Sequence, residues 1–286
     1  MSVKKCNKTI LLRGSISSSK NPTSFVKKSI PTIRKWFDGE LVVSTWKGQE
    51  KYFDGIENLV DKFVLLDDPG SGFIQEFNRQ LISYKEGLNQ CKGDVVLVAR
   101  SDFNITDDPF DIWNSVCNLN NDGKMKVFEK RVVVGNMMTI HPERGSPTDS
   151  FFRVSDWLQI GQKTDLEKWA NVLTMSKKLY DHAISQNMKI NDLRSPGTEH
   201  FWFISLLRQY LGVDINMLNY QDMPLDMVWA AIVNNFSVKN TRSTLHAHNM
   251  NWEFQPEFLN EYITEQEYDE KFLELYERKR NENYFT

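Results

Sequence analysis

Charged, hydroxyl and aromatic residues follow each of the first four apolar segments of the chain. They occupy residues 13–15 (Arg-Gly-Ser), 45–48 (Thr-Trp-Lys-Gly), 67–70 (Asp-Asp-Pro-Gly) and 99–102 (Ala-Arg-Ser-Asp). If the segments are parallel strands, their carboxyl ends share one edge of the sheet, where open α/β sheets bind ligands. Cations, carboxylates, small hydroxyl groups and an indole ring suit a ligand with a phosphate, a flat ring and hydroxyls. The sequence therefore predicts a site for such a ligand at this edge.

Arg100, Ser101 and Asp102 are the most informative of these residues. An acidic side chain just past a buried central strand can hold a divalent cation, and the cation can neutralise a diphosphate leaving group. Asp is also a favoured turn residue, so Asp102 could instead cap the next turn. The residues alone leave both interpretations open.

The segment after the first strand departs from two well-known nucleotide-binding loops. A dinucleotide-binding loop needs the pattern G-x-G-x-x-G, whereas only Gly14 is present here. A P-loop needs a second glycine before its lysine and a hydroxyl residue after it, and residues 14–21 (GSISSSKN) have neither. A P-loop-like phosphotransferase that depends on Lys20 is kept as an alternative function.

Five short apolar runs position the candidate residues. They are residues 9–12 (TILL), 41–44 (LVVS), 63–66 (FVLL), 95–98 (VVLV) and 131–134 (RVVV). Continuous hydrophobicity predicts strands that are buried on both faces of a parallel sheet. Helical patterns lie between the runs, and strand, crossover helix and strand in this order indicate an α/β fold.

One of these helical patterns carries an apolar stripe of Phe77, Leu81, Tyr84 and Leu88. The residues fall at i, i+4, i+7 and i+11, the spacing of a helix with one buried face. Gly87 is expected to help end this helix.

The pattern changes after about residue 140. Thr164 with Glu167, and Thr264 with Glu267, have the spacing of capping boxes and predict two helix starts. Another helix is expected over residues 198–211. We therefore predict a domain over residues 1–215 and a mainly helical C-terminal extension, residues 216–286, packed on it.

The composition limits the class of protein. The 286 residues include 35 Lys and Arg against 38 Asp and Glu, a net charge of −3, which argues against a protein that coats nucleic acid. No run approaches the roughly 18 apolar residues of a membrane-spanning helix. Cys6, Cys91 and Cys117 are scattered, which fits a reducing compartment. We expect a soluble cytoplasmic protein with at most peripheral membrane contact.

The order and spacing of six segments resemble the WavE-type lipopolysaccharide-synthesis proteins. The segments are ILLRGS, ELVVSTWKG, DDPG, FNRQLISYKEGL, VVLVARSDFNI and SDWLQIGQKTDLEKW, and together they span roughly residues 9–210. The resemblance implies a GT-A-like, Rossmann-like fold. It also implies transfer of a sugar from a nucleotide-sugar donor to a glycan or lipid-linked acceptor in surface polysaccharide synthesis.

The resemblance also implies a set of donor-binding residues. Arg100 to Asp102 take the place of the acidic metal-binding motif of GT-A enzymes, usually Asp-x-Asp, so Asp102 would bind Mn²⁺ or Mg²⁺. Arg100 replaces the first acid, and an arginine can stabilise a departing diphosphate without metal, so metal dependence stays open. The residues expected to bind the donor are Arg13, Gly14, Ser15, Thr45, Trp46, Asn78, Arg79, Gln80 and Lys85.

Two carboxylates are candidates for the base on the acceptor side. By resemblance, Asp156 follows the catalytic centre and would take a proton from the attacking hydroxyl, although it could equally be a turn or cap residue. Glu199 begins a predicted helix, where the helix dipole also favours an acid. His246 and His248 could face one way from an extended segment, but a surface loop fits them better than a metal site.

These observations leave two classes of function besides the phosphotransferase. The first is a nucleotide-sugar-dependent glycosyltransferase of the hexosyltransferase type. The second is a nucleotide- or glycan-binding protein of the same fold without turnover, an alternative that the unusual Arg100 keeps open.

Overall fold

A computed structural model describes residues 7–16, 22–70, 73–118, 123, 125–144, 152–174, 198–215, 223–249 and 261–282. In these residues, helices lie on both faces of a seven-stranded sheet. The predicted α/β class with a mostly parallel sheet is confirmed.

The strands of the described residues form a large sheet and a small one. In chain order they are β1 (Lys8–Arg13), β2 (Glu40–Trp46), β3 (Lys62–Leu66), β4 (Val95–Arg100), β5 (Phe103–Ile105), β6 (Val132–Gly135), β7 (Leu158–Gln162), β8 (Phe236–Lys239) and β9 (Ala247–Asn249). The large sheet has the order β3-β2-β1-β4-β7-β6-β8, while β5 and β9 form an antiparallel pair. β7 runs antiparallel to both of its neighbours, and the other pairs of the large sheet are parallel.

The helices are distributed between the two faces of the sheet. Those of the described residues are α1 (Pro22–Arg34), α2 (Phe73–Gln90), α3 (Phe110–Val116), α4 (Lys163–Ala170), α5 (Thr198–Leu211), α6 (Leu225–Asn235) and α7 (Glu265–Glu282), with two short 3₁₀ helices at Glu50–Phe53 and Glu57–Leu59. Buried residues of α2, α4, α5, α6 and α7 belong to one hydrophobic core, and those of α1 and α3 belong to the other.

Strand β1 shows why continuous hydrophobicity marks a central strand. Ile10 and Leu12 pack into the core beside α1, whereas Leu11 packs into the core beside α2. Successive side chains of a strand point to opposite faces, so a strand covered by helices on both sides needs an apolar residue at each position. β2 and β4 repeat this arrangement with Leu41 to Val43 and Val95 to Val98.

Gly87 lies inside α2, and the expectation that it helps to end the helix is wrong. The helix continues to Gln90. A Cβ atom at Gly87 would come within 2.7 Å of Leu11 Cδ1 and 2.8 Å of Ser44 Cβ. The absence of a side chain therefore lets the helix backbone rest directly on β1 and β2.

The two predicted capping boxes have different outcomes. At α7 the box is confirmed, since the Thr264 N–H donates to Glu267 Oε2 at 2.8 Å and the Glu267 N–H donates to Thr264 Oγ1 at 3.2 Å. At α4 the box is wrong, because β7 runs straight into the helix and Thr164 is already its second residue. The buried carboxylate of Asp165 instead accepts hydrogen bonds from the backbone N–H groups of Glu129 and Lys130.

The C-terminal third of the chain contributes strands as well as the expected helices. The helix expected over residues 198–211 is present as α5. β8 extends the large sheet beside β6, and β9 pairs with β5. The predicted extension is therefore joined to the first domain through both sheets, and the boundary at residue 215 stays a prediction.

Candidate active site

A cleft lies at the carboxyl ends of β1 and β4. The chain leaves β1 toward β2 on one side and leaves β4 toward β6 and β7 on the other side, which opens a crevice between β1 and β4. Arg13 and Arg100, the last residues of the two strands, are direct neighbours in the parallel register. The cleft has a volume of about 360 Å³, and its lining residues are Arg13, Gly14, Ser15, Trp46, Arg79, Gln80, Arg100, Ser101 and Asp102.

Arg13 forms the buried floor of this cleft. Its Nη2 lies 2.6 Å from Asp156 Oδ2 and also donates to the Asp156 carbonyl oxygen. The guanidinium carbon is 5.1 Å from the ring centre of Tyr84 and 5.8 Å from that of Trp202. The side chains of Arg13 and Asp156 are only 1% and 0% exposed. Burial raises the pKa of Tyr84, so its hydroxyl stays protonated and donates to Gln159.

Arg100 stands beside Arg13 and is held by a different acid. Its Nε and Nη2 donate to the two carboxylate oxygens of Asp102 at 3.0 and 2.6 Å. The guanidinium also lies 4.8 Å from the ring centre of Trp157. Burial alone would lower the pKa of Arg100, but the charge and hydrogen bonds of Asp102, together with the charges of Asp156 and Glu199, raise it above its ordinary value. Arg100 therefore remains a cation under all working conditions.

The loop after β1 is fixed by glycine and by one glutamine. Gly14 has a φ of +97°, a left-handed conformation that favours glycine. Gln49 Oε1 accepts hydrogen bonds from the Ile16 N–H at 2.8 Å and the Thr45 hydroxyl at 2.7 Å. Gln49 Nε2 donates to Ser15 Oγ at 3.1 Å. Sequence reasoning missed Gln49, although its position three residues after Trp46 placed it near the rim.

Ser101 links the ends of the two central strands. Its backbone N–H donates to the Arg13 carbonyl at 2.8 Å, and its hydroxyl donates to the Ser15 carbonyl at 3.1 Å. These bonds hold the turn that carries Asp102 against the loop after β1. Ser101 belonged to the predicted rim but was absent from the expected donor-binding set.

Helix α2 supplies the far wall of the cleft. Arg79 donates to Asp68 Oδ2 at 2.9 Å, and its guanidinium carbon lies 5.3 Å from the ring centre of Trp46. Gln80 follows it in the lining. The acidic turn after β3 therefore orients an arginine toward the cleft.

Five of the predicted site residues lie outside this lining. Thr45 is buried and bonded to Gln49, and Asn78 and Lys85 lie on other parts of α2. Asp156 lies beneath Arg13, and Glu199 is buried with Oε2 3.9 Å from Arg153 Nε. Their roles stay predictions. Lys20, on which the phosphotransferase alternative depends, is outside the described residues.

The residues around Asp102 do not fit a divalent-cation site. Both carboxylate oxygens already accept hydrogen bonds from Arg100. Within the described ranges, no group of three or more His, Cys, Asp or Glu side chains could hold a metal ion. His248 is part of β9 and lies opposite Asn104 of β5. Its burial lowers its pKa, and the positive charges of Lys28 and Arg242 lower it further.

The charge of the cleft lining suits an anion. Three guanidinium groups and one carboxylate line the space, and two further carboxylates, Asp156 and Asp68, pair with Arg13 and Arg79 from outside the lining. Guanidinium groups bind carboxylate and phosphate through paired N–H donors. The site is thus an arginine-lined crevice at the switch point of an open α/β sheet, the position where this class of fold binds nucleotides and related ligands.

Within that class, the chain belongs to the WavE family. The family model described as WavE lipopolysaccharide synthesis matches residues 9–284, nearly the whole sequence. No curated protein matches the chain.

Several solved structures are distantly similar to this chain. The glycosyltransferase GlyE of Streptococcus pneumoniae TIGR4 is 14% identical, with a TM-score of 0.37 over 72% of this chain and 43% of that chain. TarS of S. aureus is 11% identical, with a TM-score of 0.41 over 82% of this chain and 35% of that chain. The match thus spans less than half the length of either structure.

A third solved structure was determined with ligands. Glucosyl-3-phosphoglycerate synthase from Mycobacterium tuberculosis, in complex with Mn²⁺, uridine diphosphate and glucosyl-3-phosphoglycerate, is 14% identical. Its TM-score is 0.35 over 56% of this chain and 58% of that chain.

Among the helices of the described residues, none is both long enough and apolar enough to cross a membrane.

Proposed function

We propose that this WavE-family protein is a glycosyltransferase that moves a hexosyl unit from a nucleotide-sugar donor to a glycan or lipid-linked acceptor in lipopolysaccharide synthesis. One observation carries the proposal: Arg13 and Arg100 lie side by side on the adjacent strands β1 and β4, at the switch point of the sheet. Two cations at the carboxyl ends of adjacent central strands lie where an open α/β sheet receives a phosphorylated ligand.

The reaction would break the bond between the anomeric carbon and the distal phosphate oxygen of the donor. The acceptor hydroxyl would form the new bond to that carbon and lose its proton to a base. The nucleoside diphosphate then leaves with added negative charge, which Arg100 and Arg79 are placed to stabilise. Fixed donors aimed at developing charge commonly contribute the largest part of such catalysis.

Asp156 and Glu199 take different parts in this proposal. The carboxylate of Asp156 is directed to Arg13 and is fully buried, which supports a positioning role. Glu199 influences Arg100 through its charge and is the remaining candidate for the base if the reaction inverts stereochemistry. A retaining reaction would not require a base in that form.

The proposed location is the cytoplasm, with peripheral contact to a membrane where the acceptor is lipid-linked. Cys91 and Cys117 are free, buried thiols, which supports a reducing compartment.

A donor-hydrolysis and transfer assay tests the proposal. Sugars linked to UDP, GDP, CDP and TDP are incubated with the protein, and release of the nucleoside diphosphate is measured. We expect turnover with one of them and a loss of about 10²–10³-fold in Arg100→Ala, comparable to removing one oxyanion donor. Arg242→Ala, at an exposed turn, is the matched control.

Two other outcomes would support the alternatives. Binding of a nucleotide sugar without any release of diphosphate, with an acceptor extract present, indicates a binding protein of the same fold. Binding of ATP that is lost in Lys20→Ala and retained in Arg100→Ala indicates the phosphotransferase.

A further inference from the structure

The donor atoms around Asp102 are arranged for an anion. Asp102 is the one carboxylate among the described lining residues, and three arginines face the same space. A divalent cation at Asp102 would lie beside these positive charges and would have to separate the carboxylate from Arg100. Mg²⁺ usually binds through one or two carboxylates together with phosphate oxygens of the ligand, and the one carboxylate of the described lining is already paired with Arg100.

Arg100 is held in the orientation that a phosphate group requires. Its Nε and Nη2 form the planar edge that matches two oxygens of one carboxylate or phosphate. The ring of Trp157 supports its face, and the Arg100 N–H is bonded to the Trp157 carbonyl at 3.0 Å. The side chain is 33% exposed and lines the cleft together with Asp102. Asp102 therefore occupies the position that an oxyanion of a ligand would take.

We infer that the cleft binds the diphosphate of its donor through Arg100 and Arg79, without a divalent cation, and that the diphosphate replaces Asp102 at Arg100. The inference rests on the function proposed above. Arg79 lies on the opposite wall of the cleft, where it is paired with Asp68, and it supplies the second guanidinium group. Arg13 adds positive charge from below, where Asp156 holds it in place.

Isothermal titration calorimetry tests this inference with defined probes. The wild-type protein is titrated with pyrophosphate in EDTA, and with UDP, GDP, CDP and TDP in EDTA and in Mn²⁺. We expect one nucleoside diphosphate to bind with the same Kd, within about twofold, in both buffers. Binding that requires Mn²⁺, or that tightens tenfold or more with it, overturns the inference and leaves the proposed glycosyltransferase intact.

Two substitutions separate a phosphate site from a metal site. Arg100→Lys keeps the charge but loses the two-donor edge, so we expect a loss of tenfold or more in EDTA, with Arg242→Lys as the control. Asp102→Asn removes the competing carboxylate charge, so we expect equal or tighter binding. Asp54→Asn, at an exposed loop, is its control. Binding in Mn²⁺ that is abolished by Asp102→Asn would identify a metal ligand and refute the inference.

The pyrophosphate titration distinguishes the two failures. If pyrophosphate binds in EDTA through Arg100 but no nucleoside diphosphate does, the cation-free diphosphate site stands and the proposed function fails. If no probe binds in either buffer, both fail. Melting curves without ligand confirm that each variant is folded.

Discussion

The buried pair of Arg13 and Asp156 is the contact whose disruption should affect the protein most. The pair joins side chains that are 1% and 0% exposed, with 2.6 Å between Nη2 and Oδ2. Asp156→Ala would leave the guanidinium of Arg13 buried without its counter-charge. Breaking such a buried pair by removing one partner costs about 3–5 kcal/mol.

Thermal unfolding measures this cost directly. For a large domain, a loss of 1 kcal/mol lowers the Tm by about 2 °C, so we expect Asp156→Ala to melt about 6–10 °C below the wild type. The matched control is Asp67→Ala, which removes an ion pair with Lys47 at a similar distance, 2.8 Å. Those side chains are 86% and 61% exposed, and the expected loss is under about 0.5 kcal/mol.

A double variant separates the charge from the packing. Arg13→Met with Asp156→Leu removes both charges and keeps apolar volume, so most of the lost stability should return, as in other buried pairs replaced by apolar groups. The reasoning is refuted if Asp156→Ala melts within 1–2 °C of Asp67→Ala. It is also refuted if the double variant is no more stable than Asp156→Ala.

Three further predictions concern the β1 loop and the last helix. Gly14→Ala should cost about 1–2 kcal/mol because its φ is +97°, and should weaken nucleotide binding in calorimetry. Gly55→Ala, at a φ of +85° in an exposed turn, should cost similar stability and leave binding unchanged. Gln49→Ala should cost about 1–3 kcal/mol, measured by urea unfolding, because it leaves two buried donors without an acceptor; a loss below 0.5 kcal/mol would contradict this. For Glu267, burial alone would raise the pKa, but hydrogen bonds from Thr264 and the pairing with Arg144 lower it below its ordinary value of 4.5. The stability from this carboxylate is therefore complete above that value and falls as acidification protonates it in the folded state, so Tm should depend less on pH below 4.5 in Glu267→Gln.

The position of the candidate site could be predicted from the sequence because it depends on local patterns. Continuous apolar runs located β1 to β4, and the residue after a parallel strand necessarily stands at the binding edge of the sheet. Arg13, Trp46, Arg100 and Asp102 were found in this way. Arg79 and Gln80 came from the family resemblance, since nothing in their helical spacing indicates a ligand.

The partners of these residues could not be predicted, because they depend on distant parts of the chain. Asp156 is 143 positions from Arg13, and no local pattern connects the two. β7 and β8 were also missed, because LQIGQ and FSVK mix polar residues into short strands. The same sequence pattern formed a capping box at Thr264 and none at Thr164, where the preceding strand left no room for a separate cap.

The close contact at Gly87 fixes a distance in the candidate site as well as in the core. Arg79 precedes Gly87 by eight residues on α2, about 12 Å along the helix axis. Because the helix backbone touches Leu11 and Ser44 at Gly87, the height of α2 above the sheet is set there. A methyl group at this position would lift the helix and carry Arg79 away from Arg100. The distance between the two guanidinium groups, and therefore the size of the anion that both can bind, thus depends on the glycine at position 87, two helical turns from the cleft.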